Sequence, residues 1–213
     1  MAQRPGREKQ KQRTRNAIVV AARELVIQGL LPSVADVAEA ALVSLATAYR
    51  YFPDQLSLLR AALADTLPPA AGISVPLADV TVEPAERVAH ATRAFLRLIL
   101  KQEALVRAVM ALSLLRSVET PASRQEAVAL RPGYRLPWIA EALAPLEGRL
   151  DPAALRQLTN ALAIVISSEA LIALQDVRGL DADTAVEVCV WTARILVQAV
   201  VDDHTDAPSP PLA

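Results

Sequence analysis

Residues 33–52 read SVADVAEAALVSLATAYRYF, and their pattern is that of two short helices joined by a tight turn. A hydroxyl-bearing start signal stands before each. Ser33 and Asp36 have the spacing of a capping box, in which the hydroxyl accepts a bond from an orphan N–H and the carboxylate reaches back. Val34, Val37, Ala38 and Ala41 then supply a narrow apolar face at helical spacing. Ser44 opens the second helix in the same way. Ala48 and Phe52, four apart, share one face of it, while Thr47, Tyr49 and Arg50 point elsewhere. A short helix with one apolar stripe and a hydroxyl-rich, aromatic opposite face suits a DNA groove. The same residues also fit an ordinary helical hairpin with a solvated outer face, so the rest of the chain has to separate the two.

The chain has 213 residues, of which 53% are hydrophobic and only 3% aromatic, with 6 glycines. Alanine, leucine and valine therefore dominate, which favours a helical bundle over a sheet protein. The length suffices for one large domain or two small ones. The formal net charge of −1 is unevenly placed, since residues 1–66 hold 9 Lys/Arg against 6 Asp/Glu. Most of that excess lies at the start, where Arg4, Arg7, Lys9, Lys11, Arg13 and Arg15 face Glu8 alone. A basic arm ahead of a helix-turn-helix fits phosphate contact.

Taken in order, residues 1–12 read as a polar, disordered basic arm, and a first helix runs from Thr14 to about Gln28. Ile18, Ala21, Ala22, Leu25 and Val26 form its stripe, and Gly29 is a fitting stop. Pro53–Asp54 breaks the chain after Phe52 and caps a fourth helix with Leu56, Leu59 and Leu63 inward. The connector LPPAAGISVPL (67–77) marks the boundary between a DNA-binding domain at 13–66 and a second domain at 78–204. Further helices follow over 83–102, 103–118 and 136–146, and one long helix is expected from Asp151 to Arg178. The last helix spans Asp181 to Asp203, and residues 205–213 read as a disordered tail.

That last helix confines Asp183, Glu187, Arg194, Gln198 and Asp202 to one thin stripe, and Ala161–Leu174 is similarly apolar. Such helices must be buried on more than one side, and a second copy of the chain is the readiest partner. The run at 161–174 is too short to span a bilayer and no signal-peptide pattern precedes the first helix, so a soluble cytoplasmic protein with no membrane contact is expected. Cys189 is the single cysteine and sits in an apolar run, as a small buried hydrophobe.

From Thr14 to Leu59 the chain resembles the TetR family of bacterial transcriptional regulators. The matching elements are AARELVIQG, then SVADVAEA, then VSLATAYRYFPDQLSLL, with Thr47, Tyr49, Arg50, Tyr51, Phe52, Pro53 and Leu58–Leu59 the most specific block. The C-terminal LQDVRGLDADTAVEVCVWTARILVQAVV also looks like that family's final helix pair. The resemblance implies an all-α chain: an N-terminal three-helix helix-turn-helix DNA-binding domain and a C-terminal helical bundle for ligand binding and dimerisation. Three positions depart from the family pattern. Leu42 stands where the turn usually has glycine, Leu45 where a lysine or polar residue is frequent, and Gln55 where a lysine is common.

By that resemblance Thr47 and Tyr49 contact phosphates, and Leu45, Ala46 and Arg50 face base edges. Tyr51 lies between core and DNA, and Ser33 and Ser44 cap their helices beside the phosphates. The partner is double-stranded DNA carrying a palindromic operator, bound by a homodimer. A largely apolar small-molecule inducer would occupy the C-terminal bundle, where His90, Phe95, Met110, Ser113, Tyr134, Trp138 and Asn160 are the candidates by residue type. Arg107 and Arg116 would suit an anionic ligand if they pointed inward. The expected dimer contacts are Ile164, Leu171, Val190, Trp191 and Ile195.

The sequence offers no enzyme site. It has two histidines, no glycine-rich phosphate loop, no nucleophile–base pair and no cluster with metal spacing, so no cofactor or metal is expected. An alternative reading is a helical dimer that acts by binding another protein and keeps a degenerate helix-turn-helix.

Overall fold

Glycine 29 ends the first helix as its sequence implies, and the helix begins well before Thr14. The computed structural model describes residues 5–66, 83–119 and 133–205, and their regular structure is helical throughout. Helix α1 runs from Pro5 to Ile27, which corrects the expected disordered arm over most of its length. Residues 7–16 are mostly good helix formers. Gln12 bonds to Asn16 at 2.8 Å and Lys11 pairs with Glu8 at 3.8 Å, both along one helix flank. Gly29 has a φ of +85°, a left-handed position that lets Leu30 N–H reach back to the Leu25 carbonyl.

Three further helices follow: α2 (Val34–Ala40), α3 (Leu45–Tyr51) and α4 (Gln55–Ala64). Next come α5 (Pro84–Leu100) and α6 (Glu103–Glu119), then α7 (Arg135–Leu143) with a 3-10 turn at Ala144–Leu146. The chain continues through α8 (Pro152–Val165), α9 (Ser168–Ile172) with a π-helical turn at Ala173–Val177, and α10 (Ala182–Thr205). The expected connector at 67–77 and the tail from residue 206 lie outside the described residues.

The helix expected to run unbroken from Asp151 to Arg178 is interrupted. Ser167 is extended (φ −148°, ψ 153°) and its side chain accepts from Ala170 N–H, so it starts a new helix. The same hydroxyl donates to the Ile164 carbonyl at 2.7 Å. One serine thus closes one helix and opens the next, with a bend of 43° between the two pieces.

Packing sorts the helices into two compact units. The first joins α1–α4 to α6 around Ile18, Ala22, Val37, Ala48, Phe52, Leu58, Leu59 and Leu105. Each fully buried leucine or isoleucine there contributes about 1.5–3 kcal/mol. Helix α6 therefore packs with the N-terminal helices, and the segment 78–204 expected as one domain is divided. Its apolar residues have helical period, but period alone cannot say which neighbour they meet. The second unit holds α5 and α7–α10 around Val88, Phe95, Leu96, Trp138, Ile139, Leu162 and Val197.

Within the second unit α10 packs most extensively on α5. Arg93 grips Glu187 through two bonds of 2.7 and 2.8 Å, and Arg194 pairs with Glu86 at 3.0 Å. The two arginine–carboxylate pairs sit seven residues apart on each helix but run in opposite order, so α5 and α10 are antiparallel in this register. Both pairs are exposed and contribute register more than stability. Helix α10 is long and apolar enough by composition to cross a membrane. Its Ala185, Val186, Cys189, Val190, Ala193 and Val197 are nevertheless buried in this unit's own core. Cys189 is a free, buried thiol whose burial pushes its pKa up to about 11, so it stays protonated and inert at neutral pH.

Candidate nucleic-acid interface

Both short helices of the opening stretch are capped as their residues imply. Ser33 accepts from Asp36 N–H at 3.2 Å, while the Asp36 carboxylate accepts from Ser33 N–H at 2.7 Å. The Ser33 hydroxyl and backbone bonds together hold the Asp36 carboxyl below its ordinary pKa. Ser44 accepts from Thr47 N–H at 3.2 Å and its hydroxyl lies 2.8 Å from that of Thr47.

The turn between them is a Schellman closure built on a leucine. Leu42 N–H bonds to the Glu39 carbonyl and Val43 N–H to that of Ala38, at 3.0 and 2.9 Å. The geometry puts Leu42 at φ +54°, among the left-handed conformations that cost a residue with a Cβ about 1–2 kcal/mol. Its side chain gains nothing in return, being 94% exposed. The departure from glycine leaves the turn intact and strained.

Helix α3 is pinned by Ala48, fully buried, with Phe52 buried just beyond its end. Leu45, Ala46, Tyr49 and Arg50 face outward together. Thr47 is half-buried, with its hydroxyl beside the cap. Tyr51 packs against the core, and the Arg50 guanidinium lies 5.5 Å from its ring centre. Arg50 is thus held against a rigid aromatic surface at the end of an exposed face. The face carries one cation, a phenol and a leucine, a set able to touch phosphate, base edges and a thymine methyl.

Three supporting contacts are invisible in residue spacing. Gln55 donates its side-chain amide to the Pro32 carbonyl at 2.9 Å and more weakly to Leu31 at 3.4 Å. A residue read as a missing phosphate charge therefore ties the start of α4 to the α1–α2 connector. Asp54 caps α4 through Ser57 N–H at 2.7 Å and also receives Arg116 of α6 at 3.0 Å. Burial acts to raise the Asp54 pKa, but the Ser57 and Arg116 bonds outweigh it and the net shift is downward. Arg15 of the basic segment lies 5.6 Å from the Phe52 ring centre, so that charge is used on the unit itself. Arg107 pairs with Glu103 at 2.8 Å, and neither it nor Arg116 is placed as a bare anion receptor.

The candidates for the ligand site are dispersed. Phe95 and Trp138 meet edge to face, ring centres 5.6 Å apart at 67°, and Tyr134 packs on the same core. His90 is half-buried on α5. Met110 and Ser113 lie on α6 in the first unit, where the buried Ser113 hydroxyl donates to the Val109 carbonyl. Asn160 is exposed. The dimer candidates also divide. Ile164, Trp191 and Ile195 are 74%, 62% and 48% exposed. Leu171 on α9 and Val190 on α10 are instead buried in the unit's own core, Val190 because helical phase turns it away from the exposed Trp191 and Ile195. No group of three or more His, Cys, Asp or Glu poised for a metal occurs among the described residues.

No protein-family model matches the chain, and no curated protein sequence matches it significantly. Solved structures do. A TetR transcriptional regulator from Rhodococcus sp. RHA1 superposes with a TM-score of 0.52 at 22% identity, over 89% of this chain and 98% of its own. NalD, the secondary repressor of the MexAB-OprM multidrug efflux pump in Pseudomonas aeruginosa, gives 0.52 at 22% identity over 91% and 96%. The chain has the fold of the TetR-family transcriptional regulators, as the resemblance between residues 14 and 59 implied.

Proposed function

We propose that this protein is a TetR-type DNA-binding transcriptional regulator, acting as a cytoplasmic homodimer on a palindromic operator. The observation that carries the reading is the division of α3, with Ala48 and Phe52 holding it down and Leu45, Ala46, Tyr49 and Arg50 presented outward. A buried stripe fixes the helix while the opposite face stays free for the major groove. Tyr49, with Thr47 at the cap, contacts phosphate, and Arg50 and Leu45 read base edges. Lys9, Lys11 and Arg13, exposed on the first half of α1, add sequence-independent attraction to the backbone.

Dimerisation runs through the exposed apolar residues Trp191, Ile195 and Ile164, and sets two α3 helices about 34–36 Å apart. The second unit binds a small, largely apolar molecule that prefers a conformation with the wrong half-site spacing, and so releases the operator. NalD, named as a repressor, supports repression as the sense of control.

Electrophoretic mobility shift with DNA flanking the protein's own gene tests the reading. Retardation at low salt that weakens with Tyr49→Ala for all sequences, and with Arg50→Ala for the operator in particular, is expected. No retarded species at low salt overturns it.

A further inference from the structure

The core of the second unit contains a buried donor that its own residues leave unused. Trp138 is only 5% exposed, and its Nε1 has no acceptor among the described residues. An interior N–H without a partner is uncommon and unfavourable, and each case calls for an explanation. The fully buried hydroxyls of this core are committed, and an unpartnered buried acceptor of the unit, Oε1 of the half-buried Gln175, belongs to the π-helical turn at Ala173–Val177. Thr92 donates to the Val88 carbonyl at 2.6 Å, and Ser167 is occupied at the α8–α9 bend. Neither hydroxyl needs the indole, and neither is within its reach as a bonded partner.

The surroundings of Trp138 are also unusual for this chain. Aromatics form only 3% of the sequence, and most of the core is packed with alanine, leucine and valine. Yet Phe95 stands edge-on to the indole, and Tyr134, four residues before Trp138 and so on its side of α7, joins the same cluster. No charged side chain is fully buried among the described residues of this unit, and the half-buried Arg87 is already spent on the Glu141 and Ala142 carbonyls of α7. The half-buried His90 also has an unpartnered Nε2, but it lies five residues before Phe95, about 140° round the helix, and serves a different face.

We propose that Trp138, Phe95 and Tyr134 form the recognition end of an effector site, with the Trp138 indole N–H as its specificity-determining donor. The ligand class is a flat, uncharged, largely apolar molecule bearing a carbonyl or comparable acceptor. The rings supply offset and edge contacts to a planar body. The indole supplies one directional bond, made only if the ligand brings an acceptor. A carboxylate is disfavoured because it would exchange its hydration for a single neutral N–H, the half-buried Arg87 being committed to backbone carbonyls. The site's role as an effector site rests on the regulator reading above, whereas binding itself does not.

Equilibrium dialysis of the full-length protein against fluorenone and fluorene tests the site, because the two share one tricyclic outline and differ in the carbonyl. One fluorenone per protomer, held about ten-fold more tightly than fluorene, is expected. Trp138→Phe keeps a ring and removes the donor, and brings the two affinities within about two-fold by lowering that of fluorenone alone. Equal binding of both probes by the unaltered protein, binding of neither, or a carbonyl preference that survives Trp138→Phe overturns the proposal. A fluorene carboxylate that binds more tightly than fluorenone overturns the assignment of charge. The comparison on the unaltered protein does not depend on how the variant folds. Mobility shift on the same preparation separates the two readings: retarded DNA without a carbonyl preference removes only the site, and a carbonyl preference without retarded DNA removes only the regulator.

Discussion

The two units both expose large side chains, and the chemistry of those side chains differs. On α3 the exposed set is Leu45, Ala46, Tyr49 and Arg50, which mixes a cation, a phenol and aliphatic surface. On α8 and α10 it is Ile164, Trp191 and Ile195, which offers contact area and almost no hydrogen bonding. A polyanion with patterned donors and acceptors fits the first. Another apolar face fits the second, since only removal from water rewards it. Exposure by itself identifies neither partner. What separates them is whether the exposed groups can form directed bonds.

The largest effect should come from charging the apolar face. Trp191→Asp combined with Ile195→Asp is expected to raise the dimer dissociation constant by about 100-fold or more, read by sedimentation velocity. The protomer should stay folded, because neither side chain belongs to its buried core. An unchanged sedimentation coefficient would break the assignment of this face to a second copy.

Arg50→Ala comes next and sharpens the contrast from the other side. It should cost about 1–3 kcal/mol of operator binding and leave the dimer constant where it was. A shift in the dimer constant instead would mean that the two faces do not have separate partners.

Leu42→Gly is expected to stabilise the protein by about 0.5–1 kcal/mol in thermal or denaturant unfolding. Relief of the left-handed strain exceeds the entropy glycine loses on folding, and the leucine side chain buries nothing to set against it. Destabilisation would show that the turn depends on a leucine contact.

The smallest effect concerns acid. Asp54 has a depressed folded pKa, so its contribution is fully present above the unfolded carboxylate value and is lost as pH falls through the folded one. Asp54→Asn should therefore unfold with a weaker dependence on pH across that acidic window, followed by circular dichroism. A variant with the same acid profile would show that the Asp54–Arg116 pair is too solvated to contribute.

The local features of the first unit were legible in the residues. The capping box at Ser33, the caps at Ser44 and Asp54 and the Gly29 stop each depend on atoms within five residues of one another. The outward set on α3 follows from helical phase once Ala48 and Phe52 are taken as the anchor. In the basic segment charge suggests solvation, whereas its residue types favour the helix that α1 forms from Pro5. At Ser167 the sequence shows an apolar run with polar interruptions, which a continuous helix could also have carried.

Sequence by itself thus determined the all-helical class, the caps at Ser33, Ser44 and Asp54 and the outward residues of α3, because hydrogen-bond caps and helical period are short-range properties. Tertiary structure alone decided that α6 packs with α1 and α4, that Gln55 binds the Pro32 carbonyl, and that Leu171 and Val190 are core while Trp191 and Ile195 are not. Each of these turns on which surfaces meet across tens of residues, and an apolar side chain at the right period is equally suited to whichever neighbour the fold brings to it.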